Sequence, residues 1–421
     1  GEETVAEAPE PAAEEPSIAV LPFDNMSGDA EQEYIADGLS ENIIAILAQT
    51  RGMLVISRNS TFTYKGRAVD VRQVAEEQGV RYVLEGSVQL AGERIRVTAQ
   101  LVDAQDGNHV WSERFDRPVA DLFAVQDEIT LAIVRAMQVN LTEGGSAIAW
   151  HGGTESLEAW RAFETARAHI YNFSARSIAD ARASLERALE IDPDYAQAEA
   201  ILSWTYNWDA RFFGPVEDEA KNLALAASRA EAAIAKDANV AEAYANLAMI
   251  RFLTGSADEA IALAEKTVAV APSSGFALTA ASLVFQYAER YERAGALLER
   301  AERLTPIPDG FVLNILAMNR NSLGDYEAAE TYARQVIASS TRSHSEGHEQ
   351  LILALVKQGK LEEAQALVQT QLSVFPAFSV AGFRAKRTRC CRAPTSRMDE
   401  FAEAFRAAGV PEHAPGYTSE H

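Results

Sequence analysis

Apolar residues recur with two different periods along this chain. Residues 17–22 (SIAVLP) form a short apolar run, which predicts a buried strand. Residues 37–49 carry apolar side chains at 39, 43, 44, 46 and 47, one face of a helix. A second strand is expected over 53–57 and a second helix over 69–78, stopped by Gly79. Three β-rich runs follow at 81–91, 93–103 and 109–115, the first two joined by a tight turn at Ala91-Gly92-Glu93. Ile95, Val97, Ala99 and Leu101 alternate with Arg94, Arg96, Thr98 and Gln100, which gives one buried and one wet face. A long helix over 121–141 closes the segment. Residues 17–143 therefore read as an α/β domain, a mixed sheet with flanking helices.

From residue 156 the period becomes helical, and the helices themselves repeat. Similar endings occur at Ile191-Asp192-Pro193, Lys236-Asp237-Ala238, Ala271-Pro272, Thr305-Pro306 and Phe375-Pro376. Ala238 to Pro272 is 34 residues and Pro272 to Pro306 is 34 again. Pro306 to Pro376 is 70, room for two units of 35 with a break near Thr341. Pro193 to Ala238 is 45, an excess of 11 over the period, centred on residues 207–219 with Trp208, Phe212 and Phe213. Three aromatics in one insertion predict a plug on the local core, since large apolar groups are seldom left exposed. Gly255, Gly324 and Gly359 stand at turns between helices, where a left-handed backbone is easiest for glycine. Ala260, Ala294, Ala329 and Ala364 stand where two helices approach too closely for more than a methyl group. The closing prolines end each second helix, having no N–H to donate.

These landmarks resemble the tetratricopeptide repeat, of which about six would fill residues 156–376. Tyr244, Leu247, Ala248, Gly255, Ala260 and Pro272 fall on that family's consensus places in one unit, and Leu351, Gly359, Ala364 and Pro376 in another. The resemblance implies an all-α superhelical solenoid whose concave side is lined by places 2, 5, 9 and 12 of each first helix. In three successive units these are Glu242, Ala245, Met249 and Phe252; Phe276, Thr279, Leu283 and Gln286; and Phe311, Asn314, Met318 and Asn321. The candidate peptide-binding groove is therefore Met249, Phe252, Phe276, Leu283, Phe311, Asn314 and Met318. It lacks the basic residues with which this family clamps acidic C-terminal tails. The expected ligand is an apolar or amphipathic peptide or protein, or a segment of the chain itself lying in the groove.

The first domain carries a second resemblance. The stretches SIAVLPFDNMSGDAEQEYIADGLSENI, GMLVISRNSTFTYKG and VRYVLEGSVQLAGERIRVTAQLVDAQDGNHVWSERFDR look like the TolB-N-terminal-like domain. That module followed by tetratricopeptide repeats is similar to the C-terminal region of bacterial class III adenylate/guanylate cyclase-type membrane signalling proteins. It also occurs behind winged-helix domains in membrane-anchored transcription regulators. The resemblance implies an enzyme or DNA-binding part N-terminal to this chain, and a periplasmic rather than cytoplasmic place for the chain as the soluble part of an anchored parent.

The remaining segments and the charge narrow the function. Residues 1–16 (GEETVAEAPEPAAEEP) read as a disordered Ala/Pro/Glu linker, and residues 144–155 (GGSAIAWHGGTE) as a glycine-rich joint. Residues 377–421 are expected to cap the solenoid, with a last helix over 399–408 that buries Phe401, Ala404 and Phe405 and stops at Gly409. Residues 384–397 (RAKRTRCCRAPTSR) hold six basic residues and read as a solvated loop paired with acidic neighbours. The net charge of −23 speaks against nucleic acid and anionic membranes as partners. No apolar run is long enough to span a bilayer. The adjacent Cys390 and Cys391 supply neither a disulfide framework nor a zinc set. His344 and His348 share a helix face but lack a third ligand and the glutamate base of a catalytic zinc site. The acidic loop of Asp24, Asp29, Glu31 and Glu33 lacks EF-hand spacing and is explained by turns and capping. His109 and Trp111 read as sheet packing. With no phosphate loop or nucleophile elbow either, no cofactor and no catalytic residue is expected in this chain. The residues point to a non-catalytic interaction and sensory module, and no oligomeric state follows from them.

Overall fold

The computed structural model describes residues 16–50, 53–137, 153–154, 156–170, 172–308, 310–339, 344–392 and 394–415. The linker expected over 1–16 (Pro16 apart), most of the joint at 144–155, the break near Thr341 and the side chain of His344 lie outside them.

The first domain is built on strands β1 (Ser17–Val20), β2 (Asp24–Asn25), β3 (Leu54–Val55), β4 (Tyr82–Ala91), β5 (Arg94–Asp103) and β6 (Asn108–Pro118). They run in the order β3-β1-β4-β5-β6, with β2 also on β4. β1 pairs in parallel with β3 and β4, whereas β4–β5 and β5–β6 are antiparallel, so the sheet is mixed. Helices α1 (Glu33–Leu47) and α4 (Leu122–Ala136) cover one face; α2 (Arg58–Thr61) follows β3, and α3 (Val71–Gln78) packs on the other face. Successive residues of β4 serve the two sides, Leu84 towards α1 and α4 and Val83 towards α3. Ile95, Val97, Ala99 and Leu101 are all buried under α1 and α4. Gly79 ends α3 at φ +66°. α1 starts four residues earlier than its apolar pattern indicates. Asp29 accepts the N–H of Glu31 at 3.0 Å and caps a 3₁₀ turn that runs straight into the helix.

Among the described residues the rest is helical. Six antiparallel pairs follow one another: α5 (Leu157–Ile170) with α6 (Ala175–Ile191), α7 (Ala196–Trp208) with α8 (Glu219–Lys236), α9 (Ala241–Leu253) with α10 (Ala257–Val270), α11 (Gly275–Tyr287) with α12 (Tyr291–Leu304), α13 (Gly310–Leu323) with α14 (Tyr326–Ala338), and α15 (His344–Lys357) with α16 (Leu361–Val374). Helices α17 (Val380–Cys391) and α18 (Thr395–Ala407) come last. Ala260, Ala294, Ala329 and Ala364 have no exposed surface, as a close helix crossing requires. Gly255, Gly324 and Gly359 have φ of +92°, +80° and +76°, and Glu289 takes the same left-handed place between α11 and α12.

The two parts share a core. Trp160 of α5 is 1% exposed and sits among Leu39, Ile43, Phe123 and Ile129 of the first domain, edge-on to Phe123 at 6.1 Å. Gly38 of α1 lies against the indole, where any larger side chain would collide with it. Beside Trp160, the buried Glu41 of α1 accepts a hydrogen bond from Arg58 and forms an ion pair with Arg167. Further along, Ser57 N–H donates to Leu304 C=O at 2.7 Å and Ser273 N–H to Ala48 C=O at 3.1 Å. Ser60 Oγ accepts from Ile307 N–H at 3.1 Å. The α/β domain thus touches the array at its first helix and again at the ends of α10 and α12.

Candidate functional site

In the array, the first helices of successive pairs pack on one another, α7 on α9, α9 on α11, α11 on α13 and α13 on α15. A solenoid whose first helices meet in this way turns them towards its inner side. Helix α17 lies across this inner layer.

The 11-residue insertion prepares the seat. After α7 the chain widens into a π-helical turn, Asp209–Phe213, which buries Arg211. Trp208, Phe212 and Phe213 gather round Phe173, with ring centroids 5.1–6.0 Å from it, so the aromatics pack with one another, although Phe212 stays 37% exposed. Arg211 Nε donates to the carbonyl of Cys390 at 2.6 Å. In return Arg389 donates to the carbonyls of Ala210 (3.2 Å) and Gly214. Arg392 reaches the Leu253 carbonyl at 3.5 Å and Glu219 at 2.5 Å. Towards α15, Arg387 pairs with Glu349 at 2.5 Å, and Lys386 stands 3.4 Å from Glu346 and 3.3 Å from Glu349. One short helix therefore joins the ends of α7 and α9 to α15.

Burial raises the electrostatic stakes. Arg387 is 7% exposed and Glu349 4%. Burial pushes the Glu349 carboxyl up, but the charges of Arg387 and Lys386 outweigh it and hold the group below the ordinary carboxylate range. Burial pushes Arg211 down and the nearby Tyr287 phenol up. Arg392 ends α17 at φ +48°, a left-handed place that suits glycine, while its guanidinium holds Glu219 and Leu253.

The groove residues expected from the sequence fall into three groups. Met249 and Leu283 are buried, and Phe252, Phe311 and Met318 half-buried, in the same apolar cluster that contains Cys390 and Cys391. Asn314 is buried and donates to Glu346 at 3.0 Å, which links it to Lys386. Phe276 stands apart, 47% exposed, edge-on to Trp204 at 6.1 Å.

The basic segment differs from the expected solvated loop. It is mostly helix, and Val380, Phe383, Arg387, Cys390 and Cys391 are buried along it. That spacing of three and four was present in the sequence, but the arginine in the middle of the stripe disguised it. Cys390 and Cys391 are joined to each other in a disulfide. Arg211, Glu346 and Glu349, which complete the seat, carry no motif, and only the fold brings them together. Phe401, Ala404 and Phe405 of α18 are buried and Gly409 follows at φ +88°. Asn25 and Asp29 make turn hydrogen bonds, and Trp111 packs on the sheet core. Among the described residues no three His, Cys, Asp or Glu side chains are grouped to hold a metal ion, and no helix is long and apolar enough to cross a membrane.

Comparison with known proteins finds matches in both parts of the chain. Residues 13–131 match the family described as HilA/YgeH-like transcriptional regulator, second domain, and residues 213–275 match the tetratricopeptide repeat family. A protein of Rhizobium meliloti (strain 1021) named "Putative adenylate cyclase 3" is 46% identical over 257 residues, which are 61% of this chain and 43% of that protein. The chain thus spans less than half the length of this relative. Among solved structures, PilW, a type IV pilus biogenesis factor, is similar at 17% identity over 52% of this chain and 95% of its own, with a TM-score of 0.41. TolB from Acinetobacter baumannii is similar at 22% identity over 32% of this chain and 30% of its own, with a TM-score of 0.24. The chain consists of a mixed-sheet α/β domain followed by a long all-helical, tetratricopeptide-like region of paired helices, within which residues 213–275 match that repeat family.

Proposed function

We propose that this chain is a non-catalytic interaction and sensory module of a bacterial signalling protein, and that it binds a peptide or protein partner on the inner layer of its repeats. The observation that carries the reading is the inner layer itself: it already holds a helix, α17, by hydrogen bonds and an ion pair to three separate pairs. A surface that holds one helix has the width and the polar groups to hold another. In the parent protein the module acts as a regulatory tail. The identity with the Rhizobium protein favours a cyclase parent, and the match to the HilA-like domain favours a transcription regulator as the second reading. Either parent is anchored in the membrane, with this chain in the periplasm.

Selection of displayed peptides on the immobilised chain tests the reading. Enrichment is expected, and loss of enrichment in a Phe276→Ser/Phe311→Ser variant whose circular dichroism is unaltered places the binding on the inner layer. Failure to enrich any peptide refutes the reading. The non-catalytic part predicts no turnover of ATP or GTP by the purified chain, and turnover abolished by a point change within residues 17–376 overturns it.

A further inference from the structure

The kind of partner can be read from the resident helix; the inference rests on the interaction reading above. Four features of the α17 seat select a basic helix over an apolar one. Glu346 and Glu349 of α15 receive Lys386 and Arg387. Bare carbonyls at the ends of helical segments (Ala210, Gly214 and Leu253) receive Arg389 and Arg392. Such carbonyl ends carry partial negative charge and favour cations. Glu219 adds a full charge at the far end. Among these contacts the apolar contribution of the second half of α17 is confined to Cys390 and Cys391, whereas its first half, with Val380 and Phe383, packs with α18 in a separate core. The cationic half is therefore the part of the helix that can leave while the cap stays in place. In a chain of net charge −23, a cationic ligand is also drawn in from a distance.

We infer that the inner layer of the repeats is a receptor for a Lys/Arg-rich helix of a partner protein, and that the second half of α17 occupies this receptor in the unbound chain. The partner helix places its cations at the spacing of Lys386, Arg387, Arg389 and Arg392, and competes with α17 for Glu349, Glu346 and the carbonyls of the insertion. Binding and release of α17 are then one event, so the state of the C-terminal segment reports occupancy.

The probe is a fluorescent peptide of residues 380–392 with Cys390→Ser and Cys391→Ser, titrated by anisotropy into the full chain. The native chain, its seat filled, is expected to bind weakly. Arg387→Glu sets two carboxylates against each other and frees the seat, so the peptide is expected to bind at least tenfold more tightly to that variant. Arg389→Glu/Arg392→Glu, which changes the less buried positions, should do the same and serves if Arg387→Glu does not fold. A scrambled peptide of equal charge is expected to gain nothing from either variant. Equal binding of the native peptide to native and folded variant chains, or equal gain for the scrambled peptide, overturns the inference. Neither outcome touches the interaction reading, which stands or falls on the displayed-peptide selection.

Discussion

The two ends of the repeat array are closed in opposite ways. At the first end Trp160 is driven into the core of the α/β domain, with Gly38 making room for it, and Glu41 with its two arginines is a polar supplement. At the last end α18 supplies an aromatic cap, but α17 is laid over the inner layer chiefly by guanidinium groups on carboxylates and carbonyls. Apolar burial is non-directional and is not weakened by the screening of charges by salt. The contacts of the less buried Arg389 and Arg392 are exchanged readily for water or for another cation, whereas the buried Arg387–Glu349 pair can be given up only to another cation. The first junction rests on apolar burial, and the second rests largely on polar and charged contacts.

The largest effect is expected at the first junction. Trp160→Ala should cost about 3–5 kcal/mol and make the α/β domain and the first repeats melt at separate temperatures in calorimetry. A single unshifted transition would show that the two parts do not share a core. The next effect is on pH dependence. Burial pushes the Glu164 carboxyl, close to the same junction, up to about 8, with the charge of Asp37 adding to it. Its folded pKa is raised, so its protonated form stabilises the fold below the unfolded carboxylate range. That contribution disappears as pH rises through about 8. Glu164→Gln should therefore flatten the fall of the melting temperature between pH 5 and 9, with a gain of ~2–4 kcal/mol at the alkaline end. An unchanged slope would mean that Arg167, 3.3 Å away, already holds the carboxylate charged. Within the array, Ala260→Leu should overpack a helix crossing with no free space and cost about 1–3 kcal/mol; an unaltered melt would refute the repeat register. The smallest effect separates the two ends most directly. Arg392→Gln should cost only ~0.5–1 kcal/mol, yet raise hydrogen exchange along α17 while leaving α5 untouched. Added salt should reproduce that change in the native chain. Equal protection of α17 and α5 at high salt would erase the contrast.

The sequence determined most of the architecture, because its signals are local or periodic. Alternation along β5 is a property of ten neighbouring residues, and the glycines at 255, 324 and 359 mark left-handed turns wherever the helices go. The 34-residue spacing carried the pairing of helices, since each unit buries its apolar stripe only against the next. Tertiary structure alone decided where α17 goes. Its buried stripe runs Val380, Phe383, Arg387, Cys391, and an arginine in such a stripe reads as surface until Glu349, 38 residues away, is placed against it. The insertion showed three aromatics in sequence, but the residue that seats the helix is Arg211 between them, whose partner carbonyl lies 179 residues on. Trp160 likewise looks like one more helical core residue, and nothing local assigns it to the core of a different domain. Contacts between carboxylates, guanidiniums and backbone carbonyls have no sequence period. They depend on where the superhelix brings distant helix ends, and that follows from the sum of small rotations over six pairs.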